Sequence, residues 1–165
     1  LYDFVMPLFG RASAQRKRII KAACLLHDVS WRAHPDYRHE VVFDNATRAN
    51  LGGLKHSERV YLGIALLHRY SNTREGTRFE ELYTLVDEKT QLEAEVLGKA
   101  MRFGAMLWME KGAERATFKW YPKKRILELR MTRDAMPLFG EVAEARLKSL
   151  ASSLQAELVV KTRKD

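Results

Sequence analysis

A single cysteine, Cys24, is the only thiol in a chain of 165 residues. One cysteine forms no internal disulfide. That excludes the disulfide-stapled secreted scaffolds and points to a reducing compartment, the cytoplasm. Cys24 lies in the apolar run Ala22-Ala23-Cys24-Leu25-Leu26 and reads as a small buried hydrophobe. No apolar stretch is free enough of charge to span a bilayer: the longest helical pattern, Leu92 to Met109, carries Glu93, Glu95, Lys99 and Arg102. No secretory signal peptide is visible. A phosphate-cradling glycine loop and a dinucleotide fingerprint are both absent, and Gly52-Gly53 fits neither spacing. No nucleophile arrangement stands out.

What the chain does contain is apolar content of 46% and a net charge of +8. The first supplies one core, or a core with an appendage. The second, with a sequence pI near 9.7, favours polyanionic partners: nucleic acid, polyphosphate or an anionic membrane surface. The opening Leu1-Tyr2-Asp3-Phe4-Val5 already has the pattern of an amphipathic element. It reads as the start of a piece excised from a longer polypeptide.

The apolar spacing predicts helices first. Ser13 is placed to cap a helix carrying Ile19, Ile20, Ala23, Cys24 and His27. His34-Pro35-Asp36 turns into a second helix, roughly Tyr37 to Ala49, with Val41, Val42 and Ala46 inward. Ser57 is expected to cap a third, with Val60, Tyr61, Ile64, Leu67 and His68 on one face. A fourth carries Phe79, Leu82, Leu85 and Val86, and the fifth is the long pattern from Leu92. Gly98 and Gly104 weaken that last helix by about 1 kcal/mol each relative to Ala, and suit close helix packing. The pattern then changes. Residues Ala116 to Tyr121 and Ile126 to Met131 read as strands joined by the basic turn Pro122-Lys123-Lys124-Arg125. A helix from Glu141 to Leu154, with Val142, Ala143, Leu147, Leu150 and Leu154 inward, leads to a last strand at Glu157 to Lys161. The fold class expected is mainly α with a small α+β appendage. The helical domain covers residues 1–111 and a hairpin–helix–strand subdomain covers 112–165. The pentapeptide Met-Pro-Leu-Phe-Gly occurs at Met6 to Gly10 and again at Met136 to Gly140, too short for a solenoid repeat.

Three groups of side chains carry possible chemistry. His27 and Asp28 offer nitrogen and oxygen to a divalent metal, with His39, His56 or His68 as further ligands. That order of ligands resembles the HD-domain phosphohydrolases, in which a metal polarises phosphate and activates water. Two departures stand against it: no histidine precedes His27, and no aspartate closely follows His68. The second group is a cationic row, Arg32, His34, Arg38, His39, His68 and Arg69, near the ends of the first three helices. Its guanidinium forks suit phosphate oxygens. The third is the hairpin, where Lys119, Lys123, Lys124 and Arg125 interleave with Trp120 and Tyr121. That pattern occurs in single-strand binders and equally in solvent-facing ribbons.

The block Trp31-Arg32-Ala33-His34-Pro35-Asp36-Tyr37-Arg38 after Leu25-Leu26-His27-Asp28 resembles the C-terminal domain of the exopolyphosphatase / guanosine pentaphosphate phosphohydrolase family. Ser57-Glu58-Arg59-Val60-Tyr61-Leu62 and Leu66-Leu67-His68-Arg69-Tyr70 match it too. The resemblance implies an HD-like helical fold following two actin-like domains, which carry the phosphate loops, the catalytic glutamate and magnesium. None of those motifs occurs here. It therefore implies a part that is inactive by itself, guides polyphosphate or guanosine pentaphosphate (pppGpp), and forms a homodimer in a bacterial enzyme. No cofactor is expected on this chain and magnesium is expected in the parent; neither a membrane nor a nucleic acid is an expected partner. The alternative is a self-contained, metal-dependent HD-type phosphohydrolase.

Overall fold

The computed structural model of the chain describes residues 1–107 and 115–163. It is mainly α with a small α+β appendage. The helices are α1 (Tyr2–Val5), α2 (Ala14–Leu26), α3 (Arg38–Arg48), α4 (His56–Tyr70), α5 (Glu80–Tyr83), α6 (Glu88–Leu107) and α7 (Glu141–Ser153). The strands are β1 (Ala116–Tyr121), β2 (Ile126–Met131) and β3 (Glu157–Thr162). The chain divides into two compact units. One is Ser13–Lys99; the other joins Leu1–Ala12 to Ala100–Asp165, so the division falls inside α6. The boundary anticipated between residues 111 and 112, and the end of the long helix at Met109, lie outside the described residues.

In the unit Ser13–Lys99, α4 is the central helix. Nine consecutive residues, Val60 to His68, are buried, which is the pattern of a helix covered all round. Ser13 caps α2 as expected, its hydroxyl accepting from the Arg16 N–H at 3.1 Å. The stripe Ile19, Ile20, Ala23 and Cys24 is buried. The start of α4 departs from expectation. Ser57 is not the cap; the helix begins at His56, and the Glu58 carboxylate reaches back to accept from the Lys55 N–H at 2.8 Å. A carboxylate at that position satisfies an orphan donor and meets the positive end of the helix dipole. The fourth predicted helix contracts to α5. The Thr84 hydroxyl donates to Glu81 O at 2.6 Å, competing with the helical ladder. Leu82 and Leu85 are consequently exposed while Phe79 and Val86 stay buried. Asp87 caps α6 by accepting from the Thr90 N–H at 2.7 Å. Phe43 stacks on Phe79 at 4.5 Å and meets the edge of Tyr83 at 5.5 Å, tying α3 to the segment around α5.

In the other unit, β1 and β2 form an antiparallel hairpin in the register Ala116↔Met131 to Tyr121↔Ile126. Arg125 closes its turn with φ +51°. Strand β3 pairs parallel to β2, from Ile126↔Glu157 to Met131↔Thr162. A parallel neighbour requires a crossover, and α7 supplies it. Ala143, Leu147, Leu150 and Ala151 form the buried face of α7. Val142, expected inward, is exposed because it sits about 100° around the helix from Ala143. Phe4, Phe103 and Phe118 pack as an aromatic core, with Phe4 and Phe118 at 4.5 Å. The two Met-Pro-Leu-Phe-Gly copies take the same local form. Each opens a 3₁₀ turn, Met6–Phe9 and Met136–Leu138, with proline in its first positions. Proline's fixed φ favours a helical first turn and its missing N–H costs nothing there.

Candidate functional site

The expected site residues fall within the unit Ser13–Lys99, around the end of α2, the segment that follows it and the end of α4. Helix α2 stops at His27. The chain then advances in single turns, Val29 N–H to Leu26 O, Trp31 N–H to Asp28 O, Ala33 N–H to Ser30 O and Tyr37 N–H to His34 O. These successive turns keep most of residues 28–37 at the surface. Trp31 is 56% exposed and Tyr37 64%. Arg38, the first residue of α3, donates from Nε and from a terminal nitrogen to the Ala33 carbonyl, at 3.2 and 3.0 Å. That fork pins the segment to α3.

Tyr70, the last residue of α4, is the hub. The Arg38 guanidinium lies over its ring at 5.5 Å and that of Arg69 at 5.1 Å. Its hydroxyl donates to Asp28 Oδ1 at 3.4 Å, and a terminal nitrogen of Arg69 lies 3.6 Å from the same oxygen. Burial, and then the Asp28 charge, raise the Tyr70 pKa, so the phenol keeps its proton and donates. Asp28 is more than half exposed. An ion pair of this exposure contributes about 0.2–1 kcal/mol, so a polyanion that replaces it loses little.

His27 is half buried, and its Nδ1 lies 3.0 Å from the Cys24 carbonyl. Burial, and then the Arg69 charge, lower its pKa from 6.5, so the ring is neutral near neutral pH with its proton on Nδ1. Arg32 lies over the Trp31 ring at 5.0 Å. His34 is exposed, accepts from the Asp36 N–H at 3.3 Å and stands 5.9 Å from the Tyr37 ring. His39 is half buried on the first turn of α3.

The structure therefore gathers Asp28, Arg38, Arg69 and Tyr70, with Arg32 and His34 on the adjoining segment. It does not bring His68 to that surface. His68 is 1% exposed and packs inward, with Nδ1 donating to Ser71 O at 3.3 Å and Nε2 3.9 Å from Glu95. Burial lowers its pKa from 6.5 to about 4, so it is uncharged near neutral pH. Among the described residues no group of three or more His, Cys, Asp or Glu side chains is placed to hold a metal ion. His27 and Asp28 are not joined by His39, His56 or His68. At the hairpin, Arg125 is turned back to the Leu154 carbonyl at 3.1 Å. Sequence reasoning passed over Tyr70 and the exposure of Trp31. The signal was available: Trp31-Arg32, Tyr37-Arg38 and Arg69-Tyr70 each set an arginine beside an aromatic ring.

Residues 5–159 match the protein family described as exopolyphosphatase, C-terminal. The chain belongs to that family. No curated protein sequence matches it. Among the described residues no helix is long and apolar enough to cross a membrane.

Proposed function

We propose that this chain is the polyphosphate-guiding part of a bacterial exopolyphosphatase or guanosine pentaphosphate phosphohydrolase, a homodimer of the cytoplasm. The phosphoanhydride is cleaved in actin-like domains elsewhere in the polypeptide, which hold the magnesium. The observation that carries the reading is the pair of guanidiniums, Arg38 and Arg69, ranged over one ring at Tyr70. Arginine keeps its charge at any physiological pH and its fork matches phosphate oxygens. A ring shared by two arginines removes much of the side-chain freedom that phosphate binding would otherwise have to freeze. Arg32 and His34 continue the basic surface, and the net charge of +8 adds a long-range field that draws a polyanion in. His68 serves this surface from inside, as a neutral packing group beneath the end of α4. The single cysteine agrees with a reducing compartment.

The test is binding of long-chain inorganic polyphosphate against a neutral polymer of similar length. Polyphosphate is expected to bind, the neutral polymer not, and Arg38→Ala or Arg69→Ala to weaken polyphosphate about tenfold or more each, as expected when a charge-assisted hydrogen bond is removed. Equal affinity for both polymers contradicts the reading. So does an Arg38→Ala/Arg69→Ala chain that binds polyphosphate as the wild type does.

A further inference from the structure

The surface beside Tyr70 carries more than a polyphosphate needs. A chain of phosphates offers no apolar face, yet Trp31 and Tyr37 stand 56% and 64% exposed on the segment that supplies the cations. The exposed rings are not scattered. Arg32 lies over Trp31 at 5.0 Å, and Tyr37 is followed directly by Arg38, whose guanidinium also covers Tyr70 at 5.5 Å. Contacts link the set: Trp31 N–H to Asp28 O, Asp28 to Arg69 and Tyr70, Tyr70 to Arg38, and Arg38 to the Ala33 carbonyl. The segment from Asp28 to Arg38 and the end of α4 thus bring exposed rings and permanent positive charge into one neighbourhood. That is the composition of a single-strand platform, where bases stack on rings and the backbone tracks the cations.

We propose that this surface binds single-stranded nucleic acid, with bases stacked on Trp31 and Tyr37 and phosphates met by Arg32, Arg38 and Arg69. This goes beyond the polyphosphate reading, because it assigns a ligand with a flat base to the exposed rings. Charge chooses the occupant. A second copy meeting this face with the same face would set Arg32, Arg38 and Arg69 against like charges, whereas a nucleic acid brings the opposite sign. The hairpin is the poorer platform, since its Trp120 is half buried whereas Trp31 is exposed. A duplex does not satisfy the rings, since its bases are already stacked.

The experiment measures the full chain against three probes in one buffer: a short oligouridylate, the same strand annealed to its complement, and polyphosphate with a matched number of phosphates. The single strand is expected to bind more tightly than the duplex. Trp31→Ala and Tyr37→Ala are each expected to weaken it about tenfold, within the range for loss of one base–ring stack, while changing polyphosphate affinity much less. Trp31→Phe, which keeps a ring, should recover most of the loss. Both side chains project from the surface, so the alanine variants should keep the wild-type circular dichroism. The proposal is overturned if the alanine variants bind the oligouridylate as the wild type does, or if they lose polyphosphate equally. It is also overturned if Trp31→Ala changes the oligomeric state instead, which would assign the face to a second copy. Failure of polyphosphate binding alone strikes the polyphosphate reading and leaves this one standing.

Discussion

Replacing Gly98 by alanine should destabilise the protein by about 2 kcal/mol or more, although alanine is the better helix former. A Cβ at that position would lie 2.3 Å from the Ala65 carbonyl oxygen and 2.5 Å from the Cβ of His68. The first obstacle is backbone, so no rotamer change relieves it, and α6 must move away from α4. Overpacking costs about 1–3 kcal/mol even where side chains yield. The gain in helix propensity is about 1 kcal/mol. The steric term therefore decides the sign. Gly10→Ala is the control, because nothing lies within 4 Å of the Cβ it would add. Urea denaturation of the wild type and both variants measures the difference. A Gly98→Ala chain with the wild-type midpoint would show that the two helices do not approach this closely.

The second large effect is on pH dependence. His68 is held neutral inside the protein, its pKa lowered from 6.5 to about 4 by burial, with Glu95 opposing that shift and Lys99 and Arg74 reinforcing it. Between those two values the unfolded chain takes up a proton that the folded chain refuses. Stability therefore rises with pH across this window and is lost as pH falls through it. The shift corresponds to on the order of 3 kcal/mol, the loss being complete near pH 4. In His68→Asn the amide can still donate to Ser71 O, but the titrating group is gone. That variant should lose a large part of the slope between pH 6.5 and 4, with His27, whose pKa is also lowered from 6.5, supplying part of what remains. An unchanged slope would place the titration on another group.

The helical stripes were legible because burial follows spacing. Ile19, Ile20, Ala23 and Cys24 on α2 appear in the structure as read. Boundaries were less legible where a side chain competes with the ladder: Thr84 truncates α5, and Glu58 moves the start of α4 one residue ahead of Ser57. His68 illustrates the limit at the site. Its neighbour Arg69 reaches Asp28 at the surface, and a step of about 100° along the same helix carries His68 to the interior. Sequence proximity to a cationic row therefore said nothing about which side of α4 each residue occupies. The Arg69-Tyr70 pair was legible in the sequence, but the role of Tyr70 as a hub was not. Its partners Asp28 and Arg38 come from distant segments of the chain, and the packing of α2 and α3 on α4 brings them together.

If guanidiniums held on Tyr70 grip a phosphate polymer electrostatically, salt must weaken that grip through them. The deciding measurement is the salt dependence of polyphosphate affinity in the wild type and in Arg38→Ala/Arg69→Ala. Each guanidinium removed should lower the slope of log affinity against log salt by roughly 0.7, the value for a single-stranded polyanion. The wild-type slope is expected to be steep and to fall by about 1.4 in the double variant, twice the value for one charge. Identical slopes in the two proteins would contradict this.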